Sequence, residues 1–291
     1  MRMAQLIANG IFDGSLYALL AVGFSVAFTA TLFYDMSIAV AYVGGPYGLL
    51  FLMSVGVPPV PAVGISVVAV ALIGAGTHAA IYRPMLRRGV PGLSLMLVSL
   101  AVYIVAENIL GIATSDERTP IMLLGPIRQL RLGGVTFTVT QLVLVAVALA
   151  SAGASAYLVR ATRLGESLRA VCDDPELAEA SGVDVSSLRL VAATWAWAAA
   201  SISGICMAMV VDMRATMGLT ALLVAIVSSL IVGPRRVMWV GFVAVAMGVL
   251  RHVAIWRVSS GWQEAVLFAV LLFYLVARSA PRDHYERSAS A

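Results

Sequence analysis

A chain of 291 residues in which 61% are hydrophobic and only 12% charged has too little polar surface to clothe a water-soluble globule, and reads as an integral membrane protein. Its 19 basic residues are all arginine, so a phosphate-binding loop with its obligatory lysine is excluded, and any ATP that drives the chain is hydrolysed on another subunit. The formal charge of +4 comes from arginines placed between apolar runs instead of in a stripe, which speaks for membrane topology and against nucleic acid as a partner.

Residues 1–5 lead straight into a long apolar run with no cleavage signature, so the first span is expected to stay in the mature protein. Stretches free of Asp, Glu, Lys and Arg cover 14–34, 36–82, 89–106, 132–159, 190–211, 215–234, 237–250 and 265–277. The run 36–82 is long enough for two spans, with Gly56-Val57-Pro58-Pro59-Val60-Pro61 as the turn between them. Arg251 and Glu264 extend the last two runs if they snorkel to an interface. The expected fold is an all-α integral membrane protein, a polytopic bundle of about eight or nine elements, because a backbone in lipid must satisfy its own hydrogen bonds. Whether 36–54 crosses or re-enters, and hence the side of the N-terminus, stays open.

Most arginines fall in segments 83–92, 160–189, 235–236 and 278–287, which the positive-inside rule places in the cytoplasm together with the C-terminus. The opposite loop carries Arg118, Arg128 and Arg131, offset nearby by Asp116 and Glu117. No linker divides the chain, so residues 1–279 form one transmembrane domain and 280–291 a polar tail. His78, His252, His284, Cys172 and Cys206 have no metal-ligand spacing, and no cofactor is expected on this chain.

One long polar connection stands out, residues 160–189. Its grammar is two short helices: Leu164–Cys172, then a second whose cap is Asp173 or Asp174, whose first turn holds Pro175 and Glu176, and whose stop is Gly182. A loop that merely joins two spans needs only a few residues, so a capped helix pair implies a partner. On spacing alone a solvated amphipathic linker has equal weight.

The words Thr162-Arg163-x-Gly165, Arg169-Ala170, Asp174-Pro175-Glu176, Ala178 and Gly182-Val183 are joined by two others. These are Asn9-Gly10 with Gly14-Ser15-Leu16-Tyr17-Ala18-Leu19 and Gly23 in the first span, and Arg83-Pro84 after the third. In order and spacing the chain resembles the permease subunits of branched-chain amino acid ABC importers. The resemblance implies that loop 160–189 is a coupling-helix loop, with Gly165, Arg169, Asp174, Pro175, Glu176 and Gly182 in that role. It also implies two ATPase subunits, a second permease that is a distinct homologue, an extracytoplasmic solute-binding protein and a bacterial inner membrane. Glu166 departs from the basic residue common at its place. The family's Asn-x-x-His-Gly stretch is replaced by Phe33-Tyr34-Asp35-Met36-Ser37-Ile38, although Gly44-Gly45-Pro46 survives, and its Gly-Gly-x-Gly-Ser pattern is replaced by Ser228 to Pro234. The resemblance implies a divergent member with the family's engine and an open cargo.

Candidates for a translocation path come from intramembrane polarity: Asn9, Asp13 and Tyr17, which recur every four residues on one helix face, then Asp35, Gly44, Gly45, Glu107 and Asn108. For Asp13 and Asp35 an interfacial position near a span end is the stronger alternative. Asp212 with Arg214 reads as an outer interfacial pair. Small residues at Gly10, Gly14 and 196–204 suit either a permease dimer seam or internal packing. The expected function is a permease subunit moving an amino acid or related solute by alternating access. The alternative is a self-contained ion-coupled transporter or channel, for which paired broken helices with matching ion ligands in both halves would speak, and the sequence displays no convincing pair. The two departures from the family's pattern leave a non-transporting scaffold as a third reading.

Overall fold

In the computed structural model, which describes residues 2–114, 129–132, 135–211, 213–233, 236–254, 265, 268–270, 272–274 and 276, the chain is built from helices and one small hairpin. Helix α1 (Arg2–Thr31) is followed by a non-helical stretch, then α2 (Ile38–Ser54) and α3 (Pro59–Thr77), which continues through a π-helical turn (His78–Tyr82) into α4 (Arg83–Arg87). Next come α5 (Gly92–Thr114), the antiparallel strands β1 (Gln129–Leu132) and β2 (Val135–Thr138), in register with Gln129 opposite Thr138, and α6 (Val139–Ala161). Two short helices, α7 (Arg163–Asp173) and α8 (Pro175–Ala180), lead to α9 (Val185–Ala208), α10 (Met217–Val232) and α11 (Val237–Ala254).

Among the described residues, 6 helical segments are long and apolar enough to cross a membrane, and α2 and α10 are shorter apolar helices. The chain is therefore a multi-pass membrane protein. The turn expected within 36–82 falls between Ser54 and Pro59, with Gly56 at φ 93 in the left-handed region and Pro59 opening α3, where a missing N–H costs nothing. Helix α6 starts on a capping box: Thr138 Oγ1 accepts the Gln141 N–H at 3.2 Å, and Gln141 Oε1 accepts the Thr138 N–H at 3.1 Å. Asp212 of the expected pair with Arg214, the loop arginines Arg118 and Arg128, the side chain of Arg131, Pro234, Arg235, Glu264 and the tail 280–291 lie outside the described residues, as do residues 266, 267, 271, 275 and 277.

Helices α1 and α9 form the centre. In α1, 83% of the apolar window is buried inside the protein, against 17% in α5, so this chain leaves most of the α5 surface exposed. The two central helices are antiparallel: the Ser203 hydroxyl donates to Leu16 O at 2.7 Å, Gly23 meets Ala199, and Arg189 Nε donates to Ala30 O at 3.1 Å. Small residues make these approaches possible. Pro46, lacking an N–H, leaves Tyr42 O without its helical donor, and the bare Cα of Gly204 packs against that oxygen. Gly45 lies on Ser201, and Gly74 lies under the ring of Trp197. The stretch 196–204, which the sequence left open between dimer seam and internal packing, is internal: Ala196, Ala200 and Gly204 are buried against α1 and α2.

Helix α11 runs antiparallel to α1 in the most extensive helix contact among the described residues. A Cβ on Gly10 would stand 2.6 Å from the Cα of Val249, and one on Gly14 would stand 2.7 Å from Val245 O. These glycines let the two backbones touch.

Candidate functional site

The helix pair forms as the local sequence dictates. Thr162 is extended between α6 and α7, and α7 folds back so closely that a Cβ on Gly165 would fall onto Val159 O, leaving glycine as the one residue that fits. Gly165, Leu168 and Val171, spaced three apart, are the buried face of α7, which packs on α6, α1 and α9. Asp174 settles the choice of cap: its Oδ1 accepts the N–H groups of Glu176 at 2.9 Å and Leu177 at 3.1 Å, with Pro175 at the first helical position. Gly182, at φ 90, ends α8, and the Val183 N–H reaches back to Ala178 O at 3.1 Å. Asp174→Ala should cost about 1 kcal/mol of local stability, read as faster amide exchange over 176–180 with the spans unchanged.

The outward surface of this pair mixes charge with exposed apolar groups. Glu166, Arg169, Glu176 and Glu179 are exposed, as are Leu164 and Leu177, the latter 65%. Asp184 then caps α9, accepting the Ser187 hydroxyl at 2.6 Å and the Ser187 N–H at 3.0 Å, and these two bonds hold its carboxyl below the usual carboxylate range. A rigid element with an amphiphilic outer face thus sits where α6 ends and α9 begins.

Two polar clusters lie inside the bundle. The first follows α1, where the chain reverses at Leu32, φ 58, and residues 33–37 return along the protein interior. Asp35 Oδ1 accepts the N–H of Ser37 at 2.9 Å and also its hydroxyl, while the Tyr82 hydroxyl lies 3.2 Å from Asp35 Oδ1 and 2.9 Å from Ser37 Oγ. Ser99 of α5 accepts the Met36 N–H at 2.9 Å. Tyr82 ends the π-helical turn, a local widening that often marks function. Asp35 is buried within the protein, where three donors meet its carboxylate.

The second cluster joins α1 to α11. Asp13 Oδ2 and His252 Nε2 are 3.4 Å apart, and Arg251 donates to the Tyr17 hydroxyl at 3.0 Å with its guanidinium 5.4 Å from the ring centroid. Arg251 does not snorkel outward as the sequence suggested. It is 8% exposed, because the glycine contacts draw α11 against the one α1 face that offers it a phenol.

The other candidates are not gathered with these. Asn9 accepts from Gln5 at 3.0 Å within α1, and Gly44 faces Val70. Asn108 is exposed on α5 and donates to Ile104 O at 2.7 Å, with Glu107 half-buried beside it. Ser37, Tyr82, Ser99, Arg189, Arg251 and His252 were not legible as site residues. Helices α2 and α10 each follow a non-helical stretch, and a Cβ on Gly218 would be 2.5 Å from Ala39 O, so the two begin side by side.

A family model described as branched-chain amino acid transport system / permease component matches residues 6–275. No curated protein matches the chain.

Proposed function

We propose that this chain, which belongs to the family of branched-chain amino acid transport permease components, is the membrane subunit of an importer powered by two separate ATPase subunits. A second permease, a distinct homologue, completes the membrane core, and a solute-binding protein delivers an amino acid or related solute from outside. The observation that supports this reading is the α7–α8 pair. It is fixed to α6, α1 and α9 by its buried face and turns Leu164, Leu177, Arg169 and Glu176 outward. Such a lever transmits ATPase closure to the spans as a rigid-body motion. Alternating access then moves the solute with no covalent step on this chain, in a bacterial inner membrane with residues 160–189 facing the cytoplasm.

A mild-detergent pull-down of the tagged chain tests this. ATPase subunits and a second permease should co-purify, and Leu177→Asp with Arg169→Glu should cut ATPase recovery at least about ten-fold, as for central interface anchors. Recovery of the chain alone, still moving solute in vesicles, would overturn it. The ion-coupled reading draws on the Asp13–His252 pair and on the adjoining starts of α2 and α10. It requires uptake by the chain alone that follows an imposed proton gradient and is lost in Asp13→Asn.

A further inference from the structure

Helices α6 and α11 both lean on α1 but touch each other little, which leaves a groove of about 350 Å³ between them. Ala18 and Val22 of α1 form its floor, and Gly153 and Gly241 open its walls. Most of the lining is aliphatic or aromatic, and no carboxylate lines it. One end differs. There Arg160, near the close of α6, lines the groove together with Met238 of the first turn of α11, the positive end of that helix, where the Trp239 N–H donates to Arg236 O at 2.9 Å, and Arg236 immediately precedes the turn. Among the described residues no carboxylate pairs with Arg160. Tyr157 and Trp239, both exposed, flank the same end with amphipathic rings of the kind that settle at a membrane interface.

An apolar trough closed at one end by cationic groups has the polarity of one acyl chain running up to an anionic head. We propose that the α6–α11 groove binds an anionic phospholipid of the bilayer, with an acyl chain along Val22, Gly153 and Gly241 and the phosphate between Arg160 and the start of α11. This end also carries α7, which begins three positions after Arg160. A bound headgroup therefore sits beside the corner where α7 turns back on α6, and its occupancy stiffens that corner. A zwitterionic lipid fills the trough equally well but leaves the positive mouth without net compensation, so headgroup charge decides retention.

The test is native mass spectrometry of the full chain, purified with the subunits it brings, delipidated, and titrated with phosphatidylglycerol or phosphatidylcholine. Phosphatidylglycerol should be retained and phosphatidylcholine not. Arg160→Gln should weaken phosphatidylglycerol binding about five-fold, the effect of one basic residue near an anionic surface. Gly153→Leu should abolish it, since nothing lies within 4 Å of a Cβ there and the new side chain enters the trough without disturbing the fold. Each variant is accepted only if it remains monodisperse with a wild-type melting temperature, and if Arg160→Gln does not, Gly153→Leu carries the test. Equal retention of both lipids, or wild-type retention by both variants, overturns the proposal. So does a Gly153→Leu chain that keeps its lipid but loses a second copy of the permease, which would make this face a subunit seam.

Discussion

Gly248→Leu is expected to abolish a monodisperse, folded protein. A Cβ at Gly248 would fall onto the Cα of Gly14, with Gly14 N at 2.6 Å and Gly10 O at 2.7 Å. All three obstacles are backbone, so no rotamer change relieves them and α11 must move away from α1 as a body. Overpacking of this kind costs about 1–3 kcal/mol where side chains can yield, and here they cannot. Separation also strands the polar groups that the close approach had joined, Asp13 with His252 and Tyr17 with Arg251. A buried guanidinium that loses its acceptor costs more than the bond was worth. Gly248→Ala should show a smaller loss of the same kind, measured as size-exclusion profile and melting temperature. Melting of Gly248→Leu within about 2 °C of wild type, a shift smaller than 1 kcal/mol produces in a chain of this size, would show that the seam is not as tight as described.

The second large effect is expected at Asp35. Alanine there leaves the Ser37 N–H, the Ser37 hydroxyl and the Tyr82 hydroxyl competing for acceptors in a region from which water is excluded; Asp35, Ser37 and Tyr82 are all buried. Each unanswered donor costs about 1–3 kcal/mol. Asn retains one oxygen in the same place and should recover much of the loss. Because the Tyr82 hydroxyl also reaches Ser37 Oγ, Asp35→Ala and Tyr82→Phe act on one network, and the double variant should lose less than the sum of the singles. Equal melting temperatures for Asp35→Ala and Asp35→Asn would mean that the carboxylate oxygen is not the organising acceptor.

The features that proved legible in the sequence were those whose causes are local. Asp174, Pro175 and Gly182 announce a short helix because capping, a pre-set φ and a left-handed stop each depend on a few neighbouring residues. Asp13 and Tyr17 could be placed on one face because helical spacing is fixed. What they meet could not. Arg251 is 234 residues from Tyr17, and nothing in its own span marks it as inward-facing. The glycines that bring it there carry no label for their partner helix. Gly165 was read as part of a motif, yet its reason, the absence of room beside Val159, is visible only once α6 and α7 are folded together. The interruption at 32–37 left a trace, a charged residue between two apolar runs, but charge placement alone could not separate a re-entrant segment from a short connection.

The returning segment has one more implication. Helical residues in a membrane protein answer their own N–H and C=O groups, so their side chains are free to vary. Residues 34–37 lack that independence. The Met36 N–H depends on a hydroxyl from Ser99, sixty-three positions away, and the Ser37 N–H depends on the carboxylate of Asp35. A change at Ser99 alone would leave a main-chain group of a distant segment unanswered, although Ser99 sits in a span most of whose surface is exposed on this chain. Among homologues, position 99 should drift only in step with the loop it serves, and a Ser99→Ala chain should be rescued by a compensating hydroxyl near residue 36 more readily than by any repair within its own helix.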